Sequence, residues 1–397
     1  MTTYFDPFSS VNWDLISNKI CSISKSEVSL AINREGRGGI DDFLALLSPV
    51  ASSEYLEQMA KLSNSLTQKR FGRAIRLFAP LYLSNECNNV CDYCGFSLDN
   101  KIVRKTLNQG ELLREAGILK KMGFDHILLV TGESTTRVGL DYINQSLSTL
   151  RPYFSNLSME VQPLHQKDYE ILKASGLHAV LVYQETYHQK SYARHHLKGK
   201  KSNFKWRLEP PDRLGKAGIH KIGLGCLFGL TDDWRTDAFF AGHHMDYLQR
   251  KYWRTQYSMS FPRLRPCAGE IPPEISLEDR DLVQLICAFR IFNHELEISL
   301  STRESSELRE HLLPLGVTTM SAGSKTNPGG YSEDESLEQF EISDLRSVSE
   351  VSSCLKKSGY DVVWKDWDES YDQSNACRSL ADSFECSAEK PDLRIAG

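Results

Sequence analysis

From about residue 77 onward, short apolar runs rich in β-branched residues alternate with longer amphipathic stretches. The short runs predict buried strands, and the amphipathic stretches predict helices. Eight strands are predicted in this way: Leu77–Ser84, His126–Glu133, Leu157–Pro163, His178–Thr186, Lys221–Leu230, Tyr257–Pro266, Leu296–Glu304 and Val317–Lys325. Strand–helix alternation repeated eight times predicts an α/β fold, a parallel (β/α)8 barrel of the TIM type.

Helices are predicted in the stretches between these strands. In the first predicted helix, Thr106 is expected to be the N-cap, and Gly123 is expected to end the helix. The predicted helices are Thr106–Met122, Asp141–Arg151, Lys167–Ser175, Trp206–Ala217, Asp232–Trp253, Leu277–Asn293 and Ser305–Leu313.

The flanks of the barrel have a different character. Residues 1–76 carry apolar residues at three- and four-residue spacing, which predicts an N-terminal helical extension. The barrel is expected over 77–325 and a C-terminal extension over 326–397. In that extension Tyr331–Ser353 is rich in Ser, Asp and Glu, Asp361–Trp367 is expected to form a docked strand, and the last twenty or so residues are expected to be loose.

Charge and hydropathy narrow the class of partner. The net charge of −5 gives no electrostatic reason to expect nucleic acid. No apolar run reaches the roughly 18 residues of a membrane helix, so no membrane partner is expected. The first residues lack a basic stretch followed by an apolar one, so no signal peptide is expected, and a cytoplasmic location is the default.

Polar residues collect where the predicted strands end. In a parallel barrel, chemistry takes place at that rim, and buried polar groups are costly without a partner. The pattern therefore predicts a polar ligand in the mouth, with ordinary loop polarity as the alternative. The residues at these ends are Tyr82, Ser84, Thr131, Glu133, Gln162, Gln184, Glu185, Arg263, Arg265, Arg303 and Ser321.

Three of the ten cysteines, Cys87, Cys91 and Cys94, follow the first predicted strand in a C-x3-C-x2-C spacing. Thiolates suit iron–sulfur clusters and zinc. A cluster of four irons normally takes four cysteines, so three leave one iron open to a substrate. A zinc site, a thioredoxin-like pair of Cys91 and Cys94, and three unrelated buried thiols are the alternatives. Cys226 and Cys287, in apolar surroundings, are expected in the core.

The spacing, with aromatic Tyr93 before the third cysteine, resembles the signature of the radical S-adenosylmethionine (SAM) superfamily. This resemblance implies one [4Fe–4S] cluster per chain, held by Cys87, Cys91 and Cys94, whose open iron binds the amino and carboxylate groups of SAM. Reduction of the cluster then cleaves the S–C5′ bond and gives methionine and a 5′-deoxyadenosyl radical.

Longer stretches resemble the 2-iminoacetate synthases, the tyrosine lyases of thiamine thiazole synthesis. The resemblance implies that the radical takes hydrogen from the amino group of L-tyrosine, and that the Cα–Cβ bond breaks to give 2-iminoacetate (dehydroglycine) and p-cresol. It also implies two protein partners, the thiazole synthase (ThiG) complex and a reductant of the flavodoxin or ferredoxin type. The resembling stretches are LYLSNECNNVCDYCGFSLDNKIVRKTL (81–107), LLVTGE (128–133), MEVQPL (159–164), VYQETYHQKSYARHHLKGKK (182–201), PDRLGKAGIHKIGLG (211–225), SFPRLRPC (260–267), LSTRES (300–305) and VWKDWD (363–368).

The same resemblance implies roles for residues near SAM. The backbone of Tyr93 lies near the adenine. Glu133 closes a Thr-Gly-Glu segment that matches the superfamily's Gly-Gly-Glu segment and meets the SAM amino group. Glu185 accepts hydrogen bonds from the ribose hydroxyls, and Arg194 pairs with the SAM carboxylate through its planar fork. The alternative for Arg194 is a solvated position on a basic loop.

For tyrosine, the resemblance implies Arg303 as the carboxylate clamp, with Tyr82 and Ser321 as hydrogen-bonding neighbours. Arg263 and Arg265 are rivals, with a structural ion pair beneath the mouth as their alternative role.

The sequence gives weaker support to the other candidate residues and functions. The histidine pairs His195-His196 and His243-His244 are expected to be structural or exposed, because adjacent residues on a helix point apart. Cys354 and Cys377 lack the C-x2-C pair of a second cluster found in a hydrogenase-maturation relative, so no second cluster is expected. A non-catalytic zinc scaffold of the thiazole-synthesis complex and a tryptophan lyase of the same group are the alternative functions.

Overall fold

A computed structural model describes residues 2–268, 277–332 and 337–365. Its strands are β1 (Ala74–Ser84), β2 (Val90–Cys91), β3 (His126–Thr131), β4 (Asn156–Glu160), β5 (Leu177–Leu181), β6 (His196–Lys198), β7 (Lys221–Gly225), β8 (Gln256–Ser260), β9 (Glu297–Leu300), β10 (Thr319–Ser321) and β11 (Asp361–Val363). Its α-helices are α1 (Phe5–Ser10), α2 (Trp13–Ser22), α3 (Lys25–Asn33), α4 (Ile40–Leu46), α5 (Leu56–Phe71), α6 (Gln109–Lys121), α7 (Leu140–Leu150), α8 (Gln166–Ala174), α9 (Gln189–His195), α10 (Phe204–Leu208), α11 (Pro210–Ala217), α12 (Trp234–Lys251), α13 (Asp279–Phe292), α14 (Ser306–Leu312) and α15 (Val348–Lys357).

Eight strands close a parallel barrel, which confirms the predicted fold. The order around the barrel is β1, β3, β4, β5, β7, β8, β9 and β10. The barrel closes where β10 pairs with β1, with Arg76 opposite Thr319 and Phe78 opposite Ser321. Because all eight strands are parallel, their carboxyl ends share one rim, the rim at which such barrels carry their active sites.

Each predicted strand overlaps one barrel strand, but most predictions extend too far at the carboxyl end. β3 ends at Thr131 instead of Glu133, and β5 ends at Leu181 instead of Thr186. The chain leaves the hydrogen-bonded ladder at the rim, yet apolar residues continue beyond it, and Leu227 and Leu264 line the mouth. Apolar residues therefore continue past the last paired residue of the strand. The sequence pattern alone does not show where the hydrogen bonding between strands ends.

Two helix predictions need correction. Thr106 is not the N-cap of α6, because it pairs with Ser84 in an isolated bridge. Asn108 caps the helix instead, since its side-chain oxygen accepts hydrogen bonds from the Gly110 and Glu111 amides at 2.9 and 3.0 Å. The single helix predicted from Trp206 is two helices, α10 and α11. The second begins with two prolines, which lack the amide hydrogens needed to continue the first.

The N-terminal helices pack on the outside of the barrel. Phe43 of α4 stacks on Phe292 of α13, with ring centroids 4.4 Å apart, and Trp13 of α2 stacks on Phe240 of α12 at 5.4 Å. Such offset aromatic pairs add to the apolar area that they bury. The helices at the start of the chain therefore cover two of the barrel's own helices.

After the barrel the chain returns to both ends of β1. Strand β11 pairs with the start of β1, with Ala74 opposite Asp361, so the predicted docked strand forms over Asp361–Val363, while residues 366 and 367 of that prediction lie outside the described residues. Before β11, residues 337–347 cross the opposite rim without regular structure. Across the described ranges, no helix is both long and apolar enough to span a membrane.

Candidate active site

One cavity opens at the carboxyl ends of the barrel strands. Together with its open mouth it encloses about 1430 Å³ of space. Many of the strand-end residues named from the sequence line it, namely Tyr82, Thr131, Glu133, Glu185, Arg265, Arg303 and Ser321. Ser84, Gln162, Gln184 and Arg263 are not among the lining residues, so their inclusion in the predicted ring is wrong.

All three cysteines of the C-x3-C-x2-C loop line this cavity. Arg104 supports the loop, because its guanidinium donates hydrogen bonds to the carbonyls of Asn85, Phe96 and Ser97 at 2.7 to 2.8 Å. Burial raises the pKa of the Cys87 and Cys91 thiols. Buried thiols of this kind become thiolates when they bind a metal.

The loop is also pressed against the end of β3. A Cβ on Gly132 would lie 2.3 Å from the Glu86 carbonyl oxygen and 3.2 Å from Cβ of Cys87, so only glycine fits. The Asn88 amide donates to the Glu133 carbonyl at 2.9 Å. The hydroxyl of Thr131 is buried without a hydrogen-bond partner in the described structure. The Thr-Gly-Glu segment and the cysteine loop thus form one wall of the cavity.

The donor set of this wall fits an iron–sulfur cluster. In the parts of the chain that the structure describes, no three His, Cys, Asp or Glu side chains are placed to hold a single metal ion. A four-iron cluster makes a different demand, because each thiolate binds its own iron. Three thiols on one short loop that faces a large cavity provide three such ligands and leave the fourth iron accessible.

Beside the cysteines lies a buried group of four charges. Arg207 pairs with Glu133 at 2.6 Å and with Glu185 at 3.4 Å, and Lys201 pairs with Glu185 at 2.7 Å. Burial alone would raise the pKa of Glu185, but the charges of Lys201 and Arg207 lower it below its usual range. Glu185 also has a φ of +71°, a strained conformation that is frequent at functional sites. Sequence reasoning assigned no role to Arg207, and it named Lys201 only as part of a basic loop.

Two predicted SAM residues differ in their placement. Tyr93 lines the cavity, and its hydroxyl lies 2.7 Å from Nε2 of His196. Arg194 does not line the cavity, because it is exposed near the end of α9. Lys201 and Arg207 are the cations that line this end of the cavity.

In the same cavity, the guanidinium carbon of Arg303 lies 3.4 Å from the centroid of the Phe340 ring. Within the described structure, the only hydrogen bond of the Arg303 guanidinium is a long one, 3.5 Å, to the Arg263 carbonyl. No carboxylate among the described residues pairs with it. An arginine held in this way can bind a carboxylate ligand through both nitrogens.

The rival arginines are held by acidic side chains. Arg263 pairs with Glu304, and with Asp279 at 2.8 Å, while Arg265 pairs with Glu304 at 3.3 Å. Glu304 itself is 2% exposed. Both rivals are thus structural ion pairs at the rim, in agreement with the alternative role considered from the sequence.

Tyr82 and Ser321 line the same cavity as Arg303. Burial raises the pKa of Tyr82 well above its usual range, so its phenol stays protonated and donates. It donates to the Gln339 side-chain oxygen at 2.7 Å, and the Gln339 amide nitrogen is 3.7 Å from the Cys94 sulfur. The Ser321 hydroxyl accepts a hydrogen bond from the Thr302 amide at 3.1 Å.

Sequence reasoning also missed Gln339, Phe340 and Glu160, which line the cavity. Gln339 and Phe340 belong to a segment whose Ser, Asp and Glu content gave no sign of a cavity wall. Glu160 is the last residue of β4, three positions before Pro163, where the strand was expected to end. Its place in the resembling stretch MEVQPL was the available signal.

The other histidines and cysteines have structural surroundings. His195 pairs with Asp92 at 3.0 Å. His243 and His244 contact the hydroxyls of Tyr4 and Tyr187. Cys226 and Cys287 are buried, as predicted, and Cys354 is partly exposed, whereas Cys377 and Cys386 lie outside the described residues.

Comparison with known proteins gives the same picture. The family model described as the radical SAM superfamily matches residues 81–241, and that described as the biotin and thiamin synthesis associated domain matches residues 260–361. The 2-iminoacetate synthase of Salmonella typhimurium is 50% identical over 369 residues, which are 93% of this chain and 97% of that protein. The 2-iminoacetate synthase of Escherichia coli is 51% identical over the same shares.

Solved structures agree on the fold. HydG, a maturase of the [FeFe]-hydrogenase, superposes with a TM-score of 0.86 at 29% identity, covering 94% of this chain and 84% of that one. Methylornithine synthase superposes with a TM-score of 0.67 at 18% identity, covering 84% and 97%, which supports the barrel architecture alone. The identity to two curated relatives along nearly their whole length decides the assignment. The chain belongs to the 2-iminoacetate synthase family and is a radical SAM lyase of thiamine thiazole synthesis.

Proposed function

We propose that the protein cleaves the Cα–Cβ bond of L-tyrosine to 2-iminoacetate and p-cresol, with SAM converted to methionine and 5′-deoxyadenosine. The observation that carries this proposal is the Arg303 guanidinium, which lines the same cavity as the three thiols and has no acidic partner in the described residues. A free amino acid supplies a carboxylate that satisfies this charge. The family relationship supplies the identity of the amino acid.

Cys87, Cys91 and Cys94 would hold the cluster, with thiolates in place of the thiols of the structure. When bound and reduced, the cluster and SAM supply a 5′-deoxyadenosyl radical. Around them Glu133 would accept a hydrogen bond from the SAM ammonium, and Glu185 would accept hydrogen bonds from the ribose hydroxyls. Lys201 and Arg207 keep Glu185 ionised inside a cavity that would otherwise favour its neutral form, and Arg207 also pairs with Glu133.

The backbone of Tyr93 would pack near the adenine. Arg194 was expected to bind the SAM carboxylate, but its exposed position outside the cavity gives that role no support. Lys201 and Arg207 supply the positive charge at this end of the cavity, and they serve Glu133 and Glu185 at the same time.

Tyrosine is oriented by groups at its polar end. Arg303 would bind the carboxylate through its two terminal nitrogens, with Tyr82 and Ser321 as hydrogen-bonding neighbours. The face of Phe340 against Arg303 fixes the plane of the guanidinium. Hydrogen transfer demands close approach and alignment, so a clamp of this kind sets the position of the amino group.

An apolar cluster lines the same cavity and suits the aromatic side chain. It consists of Phe78, Tyr82, Phe96, Leu128 and Val130, with Cys87 and Cys94 packed against it. These side chains exclude water from the space between the cysteine loop and Arg303. Exclusion of water protects a radical from side reactions.

Two partners complete the proposal. A thiazole synthase (ThiG) complex would consume the reactive imine, and a flavodoxin or ferredoxin type protein would reduce the cluster.

A panel of aromatic amino acids tests the substrate. Reconstituted, reduced protein is incubated with SAM and with tyrosine, tryptophan or phenylalanine in turn, and the consumption of each amino acid is measured. Preferential consumption of tyrosine supports the proposal. Consumption of tryptophan with tyrosine unchanged would assign the chain to the tryptophan lyases. One tightly bound zinc ion with no uptake of iron would assign it a scaffold role.

A further inference from the structure

Conversion of tyrosine to 2-iminoacetate requires the amino nitrogen to lose two hydrogens. The ammonium of tyrosine carries three hydrogens, and a neutral imine nitrogen carries one. The adenosyl radical takes one hydrogen as an atom, which becomes a C–H bond of 5′-deoxyadenosine. The second leaves as a proton, because the imine nitrogen of 2-iminoacetate carries a single hydrogen and no charge. The proton needs an acceptor inside the cavity.

Among the described residues, three carboxylates line the cavity, and two of them are occupied. Glu133 pairs with Arg207, and Glu185 pairs with both Lys201 and Arg207. The side chain of Glu160 makes no hydrogen bond or ion pair with any residue that the structure describes. It is therefore the lining carboxylate that remains available for a ligand.

Glu160 is held at a fixed place in the barrel. It is the last residue of β4 and lies opposite Val130 of β3 in the parallel ladder. Its side chain is partly accessible, through the cavity that it lines together with Arg303 and Tyr183. A carboxylate fixed by a strand end and open only to the ligand space can be positioned against a bound substrate with little reorganisation.

The charges that face Glu160 come from several elements. Glu185 follows β5, Lys201 lies in the turn after β6, Arg207 is on α10 and Arg303 follows β9. Tyr82 of β1 and Tyr183, which follows β5, also lie within its electrostatic reach. Burial and the neighbouring Glu185 raise the pKa of Glu160 to about 7, and the three cations oppose that rise. A base whose pKa is near the working pH is ionised in about half of the molecules and still accepts a proton readily.

We propose that Glu160 is the catalytic base that accepts the proton from the tyrosine ammonium. This inference rests on the tyrosine cleavage proposed above. Arg303 binds the carboxylate, so the adjacent ammonium lies on the same side of the cavity as Glu160. The N–H bond breaks, its electron pair stays on nitrogen as a lone pair, and an O–H bond forms on Glu160. No oxidant or reductant takes part in this step.

The pH dependence of turnover tests the assignment. The kcat/KM for p-cresol formation is measured from about pH 6 to 9 for wild type, Glu160→Gln and Glu160→Asp. Because the base must be ionised, wild-type kcat/KM should fall as the pH decreases through about 7. Glu160→Gln should be about 10²- to 10⁴-fold slower and should lose this acid limb. Glu160→Asp should be slower than wild type but keep the limb. Wild-type rate and wild-type pH profile in Glu160→Gln would overturn the proposal.

Two further measurements separate base chemistry from other causes. The cluster absorbance and SAM cleavage of Glu160→Gln should match those of wild type, which shows that the variant folds and loads its cofactors. A variant with raised KM for tyrosine but unchanged kcat would assign Glu160 to substrate binding alone and would also overturn the proposal. If wild type forms no p-cresol at any pH, the proposed function itself fails, and this result is distinct from a failure of Glu160 as the base.

Discussion

The Tyr82 hydroxyl donates a hydrogen bond of 2.7 Å to the side-chain oxygen of Gln339, which lies 257 positions further along the chain. The amide nitrogen of the same Gln339 side chain is 3.7 Å from the sulfur of Cys94. One side chain therefore joins the end of the cavity proposed for tyrosine to the loop proposed for the cluster.

Gln339→Leu is expected to shift the cluster to a more negative reduction potential. An N–H group directed at a ligand sulfur stabilises the reduced, more negative cluster. Loss of one hydrogen bond should lower the ratio of reduced to oxidised cluster about 2- to 10-fold at a fixed potential. A potentiometric titration followed by electron paramagnetic resonance measures the shift. Gln68→Leu, an exposed position on α5, is the control. An identical midpoint in wild type and Gln339→Leu would contradict this account.

Arg303→Lys should impair tyrosine recognition and spare the cluster. Lysine keeps the charge but loses the planar fork that binds both carboxylate oxygens. The loss of a bidentate, charge-assisted contact is worth about 1.5–3 kcal/mol, or roughly 10- to 150-fold in affinity. Tyrosine KM and p-cresol yield are measured together with SAM cleavage, which should persist as an uncoupled reaction.

The matched control for that prediction is Arg265→Lys. Arg265 also lines the cavity, but Glu304 already holds it. The control should retain most of the tyrosine affinity. Normal affinity in Arg303→Lys, combined with a loss in Arg265→Lys, would transfer the clamp role to Arg265.

Replacement of Cys87, Cys91 or Cys94 by alanine should abolish SAM cleavage. Each replacement removes one of three ligands, and a cluster with two thiolates is not expected to assemble fully. Iron and sulfide analysis after anaerobic reconstitution measures this loss. Cys354→Ala should bind as much iron as wild type, because Cys354 lies on α15, outside the cavity. A loss of a whole cluster's iron in Cys354→Ala would show that the C-terminal region holds a cluster.

The ion pair between Arg309 and Asp344 should control the placement of the segment that carries Gln339. The two side chains are 0% and 1% exposed. Arg309→Leu leaves the Asp344 charge buried without its deepest partner, which typically costs about 3–5 kcal/mol. Chemical denaturation should show this loss, together with reduced p-cresol formation. Lys61→Leu, which removes an exposed ion pair with Glu57, should behave like wild type.

The barrel and the cysteine loop are predictable from sequence because both depend on local patterns. Eight apolar runs define the strands, and the three cysteines lie within eight residues of one another. The position of Arg303 just after β9 also follows from the pattern, since residues after a barrel strand face the mouth. These features need no knowledge of how distant segments meet.

The remaining parts of the site depend on contacts between distant segments. Gln339 reaches Tyr82 from a polar stretch without regular structure, so neither periodicity nor composition reveals it. Arg207 gains its role from Glu133, 74 positions away. Arg194 shows the converse, because the family resemblance suggested a SAM ligand while helix α9 leaves it exposed outside the cavity.

The most direct test is an anaerobic incubation of reconstituted, reduced protein with SAM and L-tyrosine. The products to be measured are p-cresol, 5′-deoxyadenosine and 2-iminoacetate. The 2-iminoacetate is measured as glyoxylate, which it forms by hydrolysis. The account predicts equal amounts of p-cresol and glyoxylate, at least as much 5′-deoxyadenosine, and none of the three when SAM is omitted. Formation of 5′-deoxyadenosine by a fully loaded enzyme that leaves tyrosine unchanged would contradict it.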